Sequence, residues 1–255
     1  MPPTTLTLHA LPGIPEIRPG DDLVHILLTA LDANRFVLAA GDVVVVTQKI
    51  VSKAEGALID LATVTPSTRA RSLAEEVDKD PRLVEVILRE SRTVVRKRSG
   101  TLITETRHGW ICANAGVDRS NVAGEGSEVV LTLPLDPDAS ARRLREGLMA
   151  ASGVDVAVII TDSHGRAWRL AAINLAIGVA GMLPIDDLRG RPDRFGYRLR
   201  STTVARADEL AAAAGLLSGQ ADEGYPVVIV RGADYPRGDG AATDLQRPPE
   251  KDLFR

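Results

Sequence analysis

Two aspartates follow stretches of apolar residues at places where their carboxylates could meet a ligand. Asp162 comes after the β-branched run 154–160, and Asp118 follows a shorter apolar stretch. Ser163 and Asn121 add neutral oxygens beside them. Oxygen donors of this kind suit one or two Mg²⁺ or Mn²⁺ ions, which combine few protein ligands with phosphate and water. Helix caps or Asx turns are the alternative, because Asp and Ser also accept backbone N–H groups where a chain turns.

Basic side chains near these places could hold phosphate or carboxylate groups. Lys49 and Lys53 lie four residues apart after a run of four valines, so a helix would put them on one face. Arg166 and Arg169 flank Trp168 further along the chain. An ammonium suits phosphate as a compact charge, and a guanidinium suits either anion as a planar fork. Solvated lysines and surface salt bridges are the alternative interpretation.

His164 and Cys112 are the remaining side chains with chemical potential. His164 lies two residues after Asp162, where a general base could stand, but single histidines more often have structural roles. Cys112 lies in an apolar context, which predicts a buried and unreactive thiol. It is the only cysteine, so no disulfide can form within the chain, and no Cys/His set has zinc spacing.

Composition narrows the class of protein. The chain has 255 residues, of which 44% are hydrophobic and 25% charged, and it contains no apolar run long enough to span a membrane. A net charge of −3 and 3% aromatic residues argue against a broad nucleic-acid surface. The sequence has neither a P-loop nor a G-x-G-x-x-G dinucleotide motif. The N-terminus lacks the pattern of a secretory signal, so we expect a cytoplasmic protein.

Strands and helices alternate irregularly along the sequence. Predicted strands cover residues 5–10, 43–46, 93–96, 101–104, 110–113, 129–133, 154–160, 203–204 and 226–230. One predicted helix follows a cap at 21–22 and runs to residue 31, and a second runs from 66–67 to 78. Further helices are predicted over 81–89, 139–151 and 207–217. Without a regular βαβ repeat, an α+β fold is favoured, with flanking helices and mixed, largely antiparallel sheets. We expect one domain over 1–232 and a Pro-, Gly- and charge-rich tail over 233–255.

Several short motifs, in this order and spacing, resemble the coenzyme F420-0:γ-glutamyl ligase family. They are LPGIPEI at 11–17 with GDDL at 20–23, VSKAEG at 51–56, NAGVD at 114–118 with SN at 120–121, ITDS at 160–163 with GR at 165–166, and VRG at 230–232. The resemblance implies a GTP-dependent ligase that adds L-glutamate through γ-glutamyl amide bonds to the deazaflavin precursor of coenzyme F420. An acyl phosphate would be the intermediate. It also implies two closely packed lobes around a groove, and an intertwined homodimer.

The resemblance also assigns site residues. Asp118 and Asp162 match metal-binding aspartates, Ser163 matches a hydroxyl ligand, and Gln220 falls in a loop that contributes to the metal site. The implied ions are two Mg²⁺ or Mn²⁺, with K⁺ as a further ion. The residues expected to carry catalysis are Asp118, Asp162, Lys53 and Arg166. Those expected to contact GTP are Ile14, Pro15, Glu16, Ile17, Gln48, Lys49, Lys53, Asn121, Ser218, Gly219, Gln220, Ala221, Asp222, Glu223, Gly224 and Tyr225.

Two other functions fit the same motifs. One is a metal-dependent ligase or phosphotransferase of the same fold that acts on another carboxylated cofactor, because specificity lies in details of the pocket. The other is a GTP-binding regulatory protein without turnover. The pairing of Asp118 and Asp162 with Lys53 favours an enzyme, since a protein that only binds nucleotide has less need of paired metal ligands.

Overall fold

A computed structural model describes residues 4–122, 124 and 126–253 of the chain. Its strands are β1 Thr7–Ala10, β2 Val43–Thr47, β3 Leu58–Asp60, β4 Ser91–Arg98, β5 Thr101–Thr106, β6 Ile111–Ala113, β7 Val129–Leu131, β8 Ala157–Arg166, β9 Arg169–Ala180, β10 Asp186–Asp187, β11 Thr203–Val204 and β12 Val227–Arg231. Its α-helices are α1 Leu23–Ala33, α2 Gln48–Ala54, α3 Thr68–Val77, α4 Pro81–Arg89, α5 Pro137–Ser152 and α6 Arg206–Ser218. Short 3₁₀ helices cover Leu61–Thr63, Asn114–Gly116, Ala242–Leu245 and Pro249–Lys251.

A five-stranded sheet with the order β1–β12–β2–β8–β9 forms the centre of the molecule. Of its neighbouring pairs, β2 and β8 are parallel and the rest antiparallel. Val44 and Val46 face a core shared with α1 and α5, and Val43 and Val45 face a second core shared with α6. The valine run is therefore buried on both faces, as its lack of polar alternation predicts. The α+β fold with largely antiparallel sheets is confirmed.

A third group of buried side chains lies in the segment between residues 61 and 130. In it, α3 and α4 pack against the three-stranded sheet β4–β5–β6 through residues such as Leu73, Ile87 and Leu102. Helix α4 starts at Pro81 after the cap Asp80, whose carboxylate accepts the Arg82 N–H. The start of this helix is as predicted. The lobes and the homodimer stay predictions.

Strand β8 is longer than its sequence suggests. The sequence predicts that this strand ends at Ile160, but β8 continues to Arg166. The expectation is wrong because β9 supplies an antiparallel partner for β8 from Val158 to Arg166. Ile160 lies opposite Gly178 and Thr161 opposite Ala176, which leaves one extra residue on β9. Asp162 therefore lies within a strand and not at a helix cap or turn.

One short helix of the predicted tail packs onto the sheet core. Ala242, in a 3₁₀ helix of the predicted tail, is completely buried, and its N–H donates to the Asp138 carboxylate. Within the described residues, every helix is too short or too polar to cross a bilayer.

An ion pair joins the strand β12 to the turn before β2. Arg231 donates to both carboxylate oxygens of Asp42, at 2.8 and 2.7 Å, and its guanidinium lies 4.7 Å from the centre of the Phe36 ring. Asp42 is 1% exposed, whereas the Arg231 side chain is 38% exposed. The buried carboxylate depends on this guanidinium, because a buried charge without a partner is costly.

We expect Arg231→Leu to lower the free energy of unfolding by about 2 kcal/mol, because it leaves the Asp42 carboxylate buried without its partner. The partial exposure of Arg231 keeps this below the loss for a fully buried pair. Urea denaturation followed by circular dichroism measures the change. Arg89→Leu is the control, since Arg89 is 53% exposed and its partner Glu85 also accepts the Ser67 N–H, so its loss should cost under about 0.5 kcal/mol. Equal losses for the two variants would contradict the prediction.

Candidate functional site

An open cleft of about 390 Å³ lies at one edge of the central sheet. Because β2 and β8 are parallel, with Thr47 beside Thr161, the carboxyl end of β2 and the second half of β8 meet at this edge. Helix α2 begins immediately after β2, and β12 starts at the same edge after the loop 219–226. Clefts at the carboxyl ends of parallel strands are common ligand sites in α/β proteins. The topology therefore brings three separate chain segments to one opening.

Most of the predicted site residues line this cleft. They are Ile14, Pro15, Glu16, Ile17, Gln48, Lys49, Lys53, Asp118, Asn121, Asp162, Ser163, Ser218, Gly219, Gln220, Ala221, Asp222, Gly224 and Tyr225. The lining residues that were not predicted are Thr47, Ile50, Ser120, Thr161, Asn174 and Pro226.

Two predicted residues lie outside the lining. The Glu223 carboxylate turns back onto its own loop and accepts the Ala221 N–H at 2.8 Å, and backbone N–H groups lower the pKa of this carboxyl. Arg166 ends β8 at the hairpin with β9, opposite Arg169 and four residues beyond Asp162. The structure therefore does not place these two side chains on the cleft surface, and the predicted catalytic role of Arg166 stays a prediction.

The Asp118 carboxylate is held by donors from α2. Its Oδ2 accepts from Lys49 Nζ at 2.8 Å and from Gln48 Nε2 at 3.1 Å, and its backbone forms a bridge to Leu131. Burial raises the pKa of the Asp118 carboxyl; the Lys49 ammonium opposes this change and the Asp162 carboxylate adds to it. The two aspartates are therefore close enough to interact, although 44 positions separate them in the sequence (162 − 118).

The Asp162 carboxylate is held from within its own strand. His164, two residues on and on the same side of β8, approaches Asp162 Oδ2 with Nε2 at 3.1 Å, and the His164 side chain is buried. Nε2 must carry the proton in order to donate to a carboxylate. Cys112 is also buried, and burial, followed by the charge of Asp162, raises the pKa of its thiol to about 12. The prediction that this thiol is buried is confirmed, and its lack of reactivity stays a prediction.

Three neutral side chains form an oxygen-rich cluster beside Asp162. Ser163 Oγ lies 2.6 Å from Gln220 Oε1 and 3.0 Å from Asn174 Oδ1. A hydroxyl has one proton, so it donates to only one of these two oxygens at a time. Gln220 Nε2 donates to Asn174 Oδ1 at 2.7 Å, which keeps the Gln220 oxygen near the Ser163 hydroxyl. The cluster thus presents two of the predicted metal ligands next to each other.

Asn174 was missed by sequence reasoning. It is buried and pairs with Ser163 across the β8–β9 ladder. Helix α6 passes close by, since a Cβ at Gly215 would lie 3.0 Å from the Asn174 side chain. The signal was a single amide in the otherwise apolar run 171–181. Buried amides are normally fully hydrogen-bonded, so an isolated one in a strand indicates a specific partner.

Both lysines have carboxylate partners on the cleft wall. Lys53 is 7% exposed and its Nζ pairs with Glu16, whose side chain is 75% exposed. Lys49 Nζ contacts Ser120 in addition to Asp118. The interpretation of Lys53 as a solvated surface lysine is therefore wrong. The Lys53 ammonium is buried at the cleft, and its carboxylate partner Glu16 is exposed, so an incoming anion can compete for the ammonium.

The donor set suits a hard cation with few protein ligands. Across residues 4–122, 124 and 126–253, no three His, Cys, Asp or Glu side chains lie close enough to form a metal-binding group. The cleft instead offers the carboxylates of Asp118 and Asp162 with the oxygens of Ser163 and Gln220. Mg²⁺ is commonly bound by one or two carboxylates and completed by phosphate and water. These residues therefore fit such an ion.

Comparisons with known proteins match nearly the whole chain. The family model described as F420-0:gamma-glutamyl ligase matches residues 13–232. A coenzyme F420:L-glutamate ligase of Methanothermobacter thermautotrophicus is 46% identical over 254 residues, covering 98% of this chain and 99% of the relative. The protein of the same name in Methanopyrus kandleri is 47% identical over 255 residues, with 98% of each chain covered. The chain therefore belongs to the F420-0:gamma-glutamyl ligase family.

Proposed function

We propose that this protein joins L-glutamate through a γ-glutamyl amide bond to the deazaflavin precursor of coenzyme F420, with GTP as the energy source. The names of the relatives support the proposed ligation of glutamate. The observation that supports it most directly in this chain is the cleft, which gathers Asp118, Asp162 and Lys53 from three distant segments. A volume of about 390 Å³ falls in the range of small-molecule sites.

Amide formation requires that the acceptor's carboxylate be activated first. A carboxylate oxygen would attack the γ-phosphorus of GTP, and GDP would leave with the electrons of the broken P–O bond. The amino group of glutamate would then attack the carbonyl carbon of the acyl phosphate, lose a proton and expel inorganic phosphate. Each step displaces a good leaving group, which a free carboxylate does not have. The reaction balances with one GTP consumed for each glutamate added.

The cleft residues divide the work of this reaction. Lys53 would exchange its exposed partner Glu16 for a phosphate oxygen of GTP. Asp118, Asp162, Ser163 and Gln220 would hold Mg²⁺ or Mn²⁺, and Asn174 would fix the orientation of the last two. Bound divalent ions neutralise the charge of the phosphates during transfer.

The nucleotide would lie along the loop 218–225. Asn121 Nδ2 donates to the Ala221 carbonyl at 2.8 Å, which ties this loop to the segment that carries Asp118. Residues of the loop and of the segment 14–17 line the same cleft. The loop is thus positioned relative to the carboxylates by a direct contact, which supports its role in placing a nucleotide.

Incubation of the protein with the deazaflavin precursor, L-glutamate, GTP and Mn²⁺ tests the proposal. We expect mass spectrometry to find products that are heavier by whole glutamyl units, and GDP in equal amount. GDP without glutamylated product would point to a different carboxylated acceptor. Binding of GTP without either product would favour a regulatory protein and would overturn the proposal.

Asp162→Asn should reduce glutamylation by about 100-fold or more, because loss of residues that merely support a metal ligand already costs 10- to 100-fold. The amide keeps the volume of the side chain and its contact with His164 but removes the charge. The assay compares initial rates over a range of Mn²⁺ concentrations. Asp32→Asn, at an exposed carboxylate on α1, is the control and should retain the wild-type rate. Full activity of Asp162→Asn at saturating Mn²⁺ would exclude the metal role.

Lys53→Met should weaken GTP binding by about 10- to 100-fold, the typical worth of a hydrogen bond to a charged group. Methionine fills the buried space of the lysine stem, so the fold should be unchanged. Isothermal titration calorimetry with GTP measures the affinity. Lys97→Met is the matched control, because Lys97 also pairs with a glutamate, Glu76, but lies outside the cleft. Unchanged affinity in Lys53→Met would reject the phosphate assignment.

A further inference from the structure

We infer that Lys49 serves as a built-in monovalent cation: Asp118 and Ser120 form a small cation site beside the cleft, and the Lys49 ammonium fills it. A free K⁺ or NH₄⁺ ion would fill the same site if the lysine were removed. The consequence for turnover rests on the proposed function, whereas the cation site itself does not.

The geometry around Lys49 Nζ is that of an oxygen-lined cation site. The ammonium contacts Asp118 Oδ2 at 2.8 Å, the Ser120 carbonyl oxygen at 2.9 Å and Ser120 Oγ at 3.1 Å. It has three protons, so these three oxygens can use all of its donors. Carboxylate, carbonyl and hydroxyl oxygens are also the ligands of alkali cations, and carbonyl oxygens replace the hydration shell of K⁺ in proteins.

The Asp118 oxygen of this site is held in place independently of the lysine. The Asp118 N–H and carbonyl both bond to Leu131 at 2.9 Å. Gln48, which is 1% exposed, donates to Asp118 Oδ2 at 3.1 Å and accepts from Ser52 Oγ at 2.8 Å. Removing the Lys49 side chain would thus leave a fixed carboxylate oxygen facing a gap. Such a gap is polar and charged, which favours entry of a small cation.

The Lys49 ammonium offsets negative charge in the cleft. Asp118 and Asp162 face the same cleft and their negative charges oppose each other. With Lys49 and Gln48 occupying Oδ2, only Oδ1 of Asp118 remains for a divalent ion. The lysine thereby offsets one carboxylate charge and fixes which oxygen points into the cleft. A lysine with this task acts through Asp118 and is a positioning residue.

Thermal denaturation of Lys49→Ala in potassium chloride and in choline chloride of equal ionic strength tests the cation site without any substrate. We expect potassium to raise the melting temperature of this variant by about 2–4 °C relative to choline, as binding to the folded state alone would. Ammonium should act like potassium, and the wild type should melt equally in all three salts. Lys97→Ala, which removes a surface lysine, should also show no difference.

Equal melting of Lys49→Ala in all three salts would overturn the inference, as would an equal potassium effect on the wild type. Lys49→Ser is a second variant if the alanine variant does not fold in choline; its added hydroxyl extends the oxygen site, and we expect the same potassium effect. Recovery of folded Lys49→Ala only when potassium is present would support the site directly.

Glutamylation rates separate this inference from the proposed function. In choline, Lys49→Ala should lose most of its activity and regain at least about tenfold on addition of potassium, because the offset of the Asp118 charge returns. A lysine that only bound GTP phosphate would show a raised KM for GTP and no such recovery. If the wild type makes no glutamylated product while Lys49→Ala is stabilised by potassium, the proposed function fails and the cation site stands.

Discussion

The parallel pairing of β2 and β8 is the constraint on which the site depends. In this pair Thr47 lies beside Thr161, so the residues that follow β2 and those in the second half of β8 emerge at one edge of the sheet. Two apolar cores cover the pair, one on each face, and hold it in register. An antiparallel pairing would have sent the lysines of α2 and the carboxylate of Asp162 to opposite ends of the sheet. Burial of valines thus fixes the position of charged groups that it does not contact.

The charged side chains in the cleft form ion pairs, and some of these pairs are held more firmly than others. Lys49 and Asp118 form a close pair that Gln48 and Ser120 reinforce from both sides. Lys53 is buried, but its partner Glu16 is exposed and can leave at little cost. Asp162 has a histidine behind it and neutral oxygens beside it. In the cleft without ligand, the Lys53 ammonium can therefore exchange Glu16 for another anion, and carboxylate oxygens remain available to a metal ion.

Much of the fold follows from local sequence, but the site depends on pairing that sequence does not reveal. Uninterrupted β-branched runs predict the buried strands, and a proline such as Pro81 predicts where a helix begins. The length of β8 could not be predicted, because the polar residues 161–164 resemble the end of a strand unless their partner strand is known. Asn174 was missed for the same reason, since its role comes from lying opposite Ser163. Most predicted ligand contacts came from family motifs, and these could not show that Glu223 folds back onto its own loop.

The extra residue on β9 sets the phase of that strand. Ile177 and Val179 are two positions apart and would share a face in a regular strand, yet they belong to opposite cores. The alternation of side chains between the two faces of the sheet therefore shifts by one residue between the apolar half of β9 and the half that carries Asn174. Length in this strand is consequently as restricted as residue type. A relative with one residue fewer here would need a different partner for Ser163. Insertions and deletions in β9, more than substitutions, would therefore change this architecture.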